Sequence, residues 1–268
     1  MNQYPQALSI AGFDNDGGGG MPIDLKTMSA LKVYGLSVIT DVVATNSMGL
    51  VAEQPLPLSF IKQQFAALTA DYQIRAYKTG LLSSRALIKW VSSIARKYPS
   101  MPLIVDPVIY AKTGEKLIDD ATIDYLKTTL LPLATVSTPN YQEAEKLTNI
   151  QIVDHQTMLT AARSIQLLGC NNVIIKGRNE QSKHKTDDLV LLASGEHFIL
   201  PGRYLKTKRK NGTGDALSAA ITAELAKGTD IKAAIIKAKR YVDQTIEHPI
   251  IVGHDHGPIN HWAGQQLD

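Results

Sequence analysis

Short runs of apolar, often β-branched residues alternate along this chain with stretches whose apolar positions recur at helical spacing. Residues 7–11 (ALSIA) read as a buried strand, 24–33 as a helix and 36–44 (LSVITDVVA) as a second strand. Helical spacing returns at 59–70 and 83–97, the second followed by Pro99 and Pro102. A strand at 103–105, a helix near 119–130, a strand at 134–137 and a helix near 156–168 come next. Then follow a strand at 173–176, paired runs at 189–193 and 197–200, and two closing helices at 215–226 and 231–247. Strands alternating with helices predict βαβ units and a mostly parallel sheet with helices on both faces, an α/β fold. Ser194-Gly195-Glu196 between two short runs predicts a small hairpin at one edge.

Composition narrows the class without naming a function. The 268 residues are 44% hydrophobic, enough to bury a core and exclude general disorder. No internal repeat or Pro/Ser-rich linker divides them, so one domain over 1–268 is expected. Cys170 has no partner for a disulfide, which suits a reducing, cytoplasmic setting. Neither a charged leader with an apolar run nor the roughly 18 consecutive apolar residues of a membrane span is present. The balance of 28 Lys+Arg against 25 Asp+Glu gives +3, and only 6% of residues are aromatic, which argues against nucleic acid as partner.

Ligands in open α/β sheets bind at the carboxyl ends of the strands, so the loops there are the places to look. Four segments stand out. Gly12-Phe13-Asp14-Asn15-Asp16-Gly17-Gly18-Gly19-Gly20 follows the first strand; it is either a flexible turn or a loop that lets backbone approach a ligand. Its spacing fits neither the dinucleotide fingerprint nor the P-loop. Asn211-Gly212-Thr213-Gly214-Asp215 runs into a helix. Small residues there leave N–H groups for an anion, and Asp215 is either a helix cap or a base beside that anion site. The upstream run of Arg203, Lys206, Lys208, Arg209 and Lys210 is either a solvated loop or a nucleotide contact.

Thr138-Pro139-Asn140-Tyr141-Gln142-Glu143 places Asn140 and Glu143 three apart. The pair is either a capping box or an organiser of Mg²⁺ and its waters beside phosphates. Asp106 ends the strand at 103–105 and is followed by Pro107, Val108 and then Lys112-Thr113-Gly114. A strand-end Asp is often a turn former, but three separate strand ends carrying acidic or Gly-rich elements are together harder to dismiss.

These segments, with KTG at Lys78–Gly80, LGCNNVIIKG at 168–177 and HGPINH at His256–His261, resemble the pyridoxal kinase and hydroxymethylpyrimidine (phosphate) kinase branch of the ribokinase-like superfamily from end to end. The resemblance implies a doubly wound ribokinase-like fold that transfers the γ-phosphate of ATP, with Mg²⁺, to a hydroxymethyl group on a heteroaromatic ring. It leaves a monovalent cation open and implies a homodimer. Asp215 falls at the catalytic-base position, where this branch often has Cys, with Gly212, Thr213 and Gly214 as the anion hole. Asn140, Lys176, Asp188, Thr207 and Lys112 fall at nucleotide positions, and Glu143 and Asp106 at metal positions. Gly12, Asp24, Val43, Thr45, Leu81 and Val108 align with positions that contact the acceptor ring.

One departure bears on the acceptor. Pyrimidine-phosphorylating relatives typically carry Ala-Gln-Asn where this chain has Ala44-Thr45-Asn46. Thr lacks the paired donor and acceptor of an amide. The acceptor expected is therefore pyridoxal, pyridoxine or pyridoxamine, with hydroxymethylpyrimidine as the alternative and a non-catalytic vitamin-binding protein as a reading of another class. The tail histidines His248, His254, His256 and His261 are expected to pack rather than bind metal, and Lys183-His184-Lys185 to form a solvated flap.

Overall fold

A computed structural model describes residues 4–111, 114–177, 186–202, 205–254 and 256–266. They divide into two compact units, Met1–Gly80 with Leu205–Asp268, and Leu81–Tyr204.

The first unit opens with β1 (Gln6–Asp14), α1 (Gly20–Ala30), β2 (Tyr34–Asn46), β3 (Gly49–Pro55), α2 (Leu58–Thr69) and β4 (Ile74–Thr79). Its strands lie in the order β3-β2-β1-β4. β1 is parallel to both β2 and β4, and β3 turns back antiparallel on β2. The apolar run expected at 7–11 is the buried middle of β1, as a parallel strand covered on two faces requires.

The second unit carries α3 (Arg85–Lys97), β5 (Leu103–Val105), α4 (Asp120–Thr129), β6 (Val136–Ser137), α5 (Tyr141–Thr148), α6 (His155–Leu167), β7 (Asn172–Ile175), β8 (Asp188–Leu191) and β9 (His197–Leu200). Its strands run β5-β6-β7-β8-β9, the first three parallel and the last two antiparallel to their neighbours. The β8–β9 pair is the expected edge hairpin, turning through Gly195 at φ 85°. Side-chain oxygens of Ser84, Asp119 and Asp154 accept from the first-turn N–H groups of α3, α4 and α6, and so fix where these helices begin.

The chain returns to the first unit with α7 (Thr213–Ala226) and α8 (Ile231–Glu247), the latter capped by Asp230. Residues 216–226 of α7 are buried without exception. α7 packs on α1, α8, β1 and β4, and Ala216, Ala219, Ala220, Ala223 and Ala226 let those neighbours come close. The fold is the expected α/β, ribokinase-like arrangement of mostly parallel strands with helices. Three elements were not in the periodicity: β3, β4 and, apart from its capping pair, the short α5.

Candidate active site

In the first unit, β1 delivers the chain into the Gly-rich loop. Gly20 starts α1 at φ 55°, and a Cβ there would lie 2.5 Å from the Gly12 carbonyl oxygen, so loop and strand touch backbone to backbone. Gly212, the N-cap of α7, sits at φ 86° with no room for a side chain: a Cβ would meet Ile23 at 2.7 Å and the Gly18 carbonyl oxygen at 3.1 Å. The start of α7 is thus pressed against the Gly-rich loop. Among the described residues no side chain caps α7, which leaves its leading N–H groups at Thr213, Gly214 and Asp215 available to an anion. Asp215 stands half-buried in this first turn.

Asp24, one turn into α1, is fully buried. Its Oδ1 accepts from Lys78 Nζ at 2.6 Å and its Oδ2 from Ser9 Oγ at 2.6 Å. Burial pushes the carboxyl up to about 7, Lys78 pulls against that, and the nearby charge of Asp215 adds to the rise. Asp24 is therefore a member of a buried triad close to Asp215, with both oxygens engaged. Lys78 belongs to the KTG motif but had no role on sequence grounds. The signal was present, since it is the one charge in a strand segment, Ala76–Thr79, buried throughout.

Val43 and Thr45 are half-buried on β2. Asn15 braces both, donating its N–H to the Val43 carbonyl at 3.2 Å and accepting at Oδ1 from the Thr45 N–H at 2.7 Å. The Thr45 hydroxyl donates to the Gly49 carbonyl at 3.0 Å, so its proton is committed within the hairpin. Thr207 is half-buried, with its hydroxyl accepting from the Arg209 N–H at 3.0 Å. Arg209 itself donates to the carbonyls of Val252 and Gly253, and Lys206, Lys208 and Lys210 are exposed. The tail then pairs with the segment entering α7, the Asn211 N–H donating to the Gly257 carbonyl and the Ile259 N–H to the Asn211 carbonyl. His261 Nδ1 lies 2.8 Å from the Tyr241 hydroxyl, and burial with the charge of Lys26 pushes its pKa down to about 4. His261 packs, as expected, whereas His248, His254 and His256, for which packing was also expected, are exposed.

In the second unit, Asp106 sits buried at the end of β5, with Lys176 Nζ 3.1 Å from its Oδ1. Asn140 caps α5 by accepting from the Glu143 N–H at 2.9 Å. Glu143, buried, accepts from the Asn140 N–H at Oε2 (2.8 Å) and from the Ile109 N–H at Oε1 (3.2 Å). The capping box exists, and it also ties the loop after Asp106 to the start of α5. Burial raises the Glu143 carboxyl, Lys176 opposes the rise and Asp106 adds to it. Asn140 bridges to Lys176. Asp188 is buried and accepts from the Gly177 N–H at 2.7 Å. Asp106, Asn140, Glu143, Lys176 and Asp188 are thus brought together around the ends of β5, β7 and β8. Val108 is half-buried on the loop after Asp106 and Leu81 half-buried at the start of this unit. Lys112, Arg203 and Lys183-His184-Lys185, expected as a flap, lie outside the described residues. Hard carboxylate oxygens beside a lysine suit Mg²⁺ that is held chiefly by phosphates and water.

A family model described as phosphomethylpyrimidine kinase matches residues 14–260. The chain belongs to that family. It is 43% identical over 270 residues to the hydroxymethylpyrimidine/phosphomethylpyrimidine kinase of Haemophilus influenzae, covering 100% of both chains. Among solved structures it is similar to an ADP complex of Bacillus subtilis pyridoxal kinase, at 31% identity and a TM-score of 0.91, covering 99% of this chain and 100% of that one. It is also similar to the Staphylococcus aureus pyridoxal kinase with AMP-PCP and pyridoxal, at 30% identity and a TM-score of 0.89, covering 100% and 97%. Both acceptor chemistries therefore occur among proteins like this one.

The Asp24–Lys78 pair yields a stability test. Lys78→Met leaves a buried carboxylate unpaired and should destabilise the chain by about 3–5 kcal/mol, much of it recovered by adding Asp24→Asn. Lys78 lowers the Asp24 pKa, so its loss moves that pKa further up and the neutral form becomes the tolerated one. Urea denaturation at about pH 6 and about pH 8.5 should show the larger deficit at the higher pH. A deficit that is the same at both would mean that the lysine acts through packing alone.

Proposed function

We propose that this protein transfers the γ-phosphate of ATP to the hydroxymethyl group of hydroxymethylpyrimidine or of its monophosphate. The observation that carries the reading is an acid in the first turn of an uncapped helix, Asp215 on α7, in a chain matched end to end by a kinase of that acceptor. The family match runs through both units, which supports reading the 268 residues as one kinase domain.

Asp215 takes the proton of the acceptor hydroxyl as its oxygen forms the new bond to the γ-phosphorus, while the bond to the β-phosphate oxygen breaks and ADP leaves. The N–H groups of the Gly212-Thr213-Gly214 turn meet the charge that grows on the transferred group. In the second unit Lys176 and Asp188 are assigned to the nucleotide, and Asn140 keeps α5 and the Lys176 bridge in place. Mg²⁺, associated with Asp106 and Glu143, would neutralise phosphate charge when bound. Glu143 acts here mainly through the backbone it holds, since both oxygens already accept N–H bonds. Gly12, Asp24, Val43, Leu81 and Val108 are assigned to the acceptor ring.

A second reading, a kinase of vitamin B6 vitamers, is favoured by Thr45. It offers no amide, and its hydroxyl proton is already committed to Gly49. The turnover of hydroxymethylpyrimidine and of pyridoxal, compared at saturating MgATP, decides between the two.

Asp215→Asn should keep ADP affinity, read by calorimetry, and reduce kcat by about 10²–10⁴. Near-normal turnover would remove the base assignment. Thr45→Gln should raise the hydroxymethylpyrimidine to pyridoxal ratio of kcat/KM about two- to tenfold, the value of one added hydrogen bond. A ratio that falls or stays level would take residue 45 out of acceptor recognition.

A further inference from the structure

Gly12 of β1 lies opposite two residues of β2, Thr40 and Asp41, because the register passes from Ala11–Ile39 to Phe13–Val42. A bulge of this kind turns the following side chains to a new side. Burial records the change. Leu36, Val38 and Thr40 are buried at alternate positions; after the bulge Asp41 is buried, Val42 is exposed, and Val43 and Thr45 are half-buried. The bulge therefore brings Asp41 into line with Val43 and Thr45 and aims it over a glycine. A Cβ at Gly12 would lie 2.6 Å from Asp41 Oδ2.

Only one carboxyl oxygen is accounted for. Oδ1 accepts from Thr40 Oγ1 at 2.7 Å. Oδ2 is buried with no hydrogen-bond partner among the described residues, in a side chain whose residue is 1% exposed. Burial raises the carboxyl pKa, with Thr40 opposing, and Glu53 on β3 is a second acid whose own rise Asp41 reinforces. Buried polar atoms without partners are rare in native folds and call for a specific explanation.

We propose that Asp41 is a specificity-determining residue whose Oδ2 accepts a hydrogen bond from a ring amino group of the acceptor as the ring settles on Gly12. Thr45 offers on this strand face only a neutral hydroxyl oxygen, whose own proton goes to Gly49. A carboxylate attracts an amino N–H through a charge-assisted bond, and it repels the phenolate oxygen that a pyridoxal ring presents. Asp41 thus favours an aminopyrimidine over a B6 vitamer. This inference rests on the pyrimidine reading above and names the atom that would enforce it.

The test compares wild type, Asp41→Asn and Asp41→Ala on hydroxymethylpyrimidine, on the same pyrimidine without its amino group, and on pyridoxal. The KM for MgATP and a thermal melt serve as controls. Wild type should prefer the amino compound, and Asp41→Ala should lose about 10–100-fold in kcat/KM on it, the range of a bond to a charged group, while treating the two pyrimidines alike. Asp41→Asn retains an acceptor oxygen and should keep part of the preference; if Asp41→Ala fails to fold, a preference in Asp41→Asn equal to wild type overturns the inference. An undiminished preference in Asp41→Ala overturns it too and leaves the pyrimidine reading intact. Wild type that phosphorylates pyridoxal and neither pyrimidine overturns both.

Discussion

The ion pair between Lys78 and Asp24 joins β4 to α1 where neither charge reaches solvent, with 2.6 Å between Nζ and Oδ1. Taking two charges out of water is costly, and only good geometry with further hydrogen bonds offsets it. Ser9 on β1 supplies the further bond. Two strands and a helix are thereby held in one register at the point where the Gly-rich loop enters α1. The same helix presents Ile23 to Gly212, so the position of the α7 start follows from the position of α1. A hydrophobic replacement could be as stable, but it would not set a charge beside Asp215. The placement of Asp215 and of the N–H groups around it depends on this buried contact.

The second unit solves a similar problem with different parts. Asp106 is matched by Lys176, and Glu143 is matched chiefly by backbone N–H groups of Asn140 and Ile109. Glu143 spans from α5 to the loop after β5, accepting from both segments. The box closes the helix and, by the same bonds, fixes the loop that carries Asp106. A capping box that reaches a second segment does more than end a helix.

The sequence made the alternation of strands and helices legible, and with it the class of fold, because parallel strands buried on both faces leave continuous apolar runs such as that in β1. β3 escaped because it is exposed along nearly its whole length and has no buried face to give it a period. β4 escaped because a lysine interrupts its apolar run, and the burial of that lysine becomes visible only once Asp24 is beside it. The site was legible where glycine marks it: at Gly212 the positive φ and the contact with Ile23 exclude other residues. It was poorly legible where a partner distant in sequence decides the role, as with Ser9 and Lys78 for Asp24, or Ile109 for Glu143. Arg209 had two open readings, solvated loop or nucleotide contact, and neither included the carbonyls of Val252 and Gly253 that it holds.

Position 45 and position 41 illustrate how a bulge changes what a substitution means. With a regular β2, Asp41 would fall out of step with the alternation set by Leu36 and Val38, and a strand-by-strand reading would give it to the exposed set. The extra residue opposite Gly12 reverses that assignment for everything after it, so that Asp41, Val43 and Thr45 share one side. A strand that loses polar capacity at one position of that side can recover it two or four residues earlier, provided the neighbouring strand has a glycine to make room. Gly12 provides that room. On the proposal for Asp41, acceptor choice would be a property of the face that the bulge creates, and residue 45 would be half of a coupled pair.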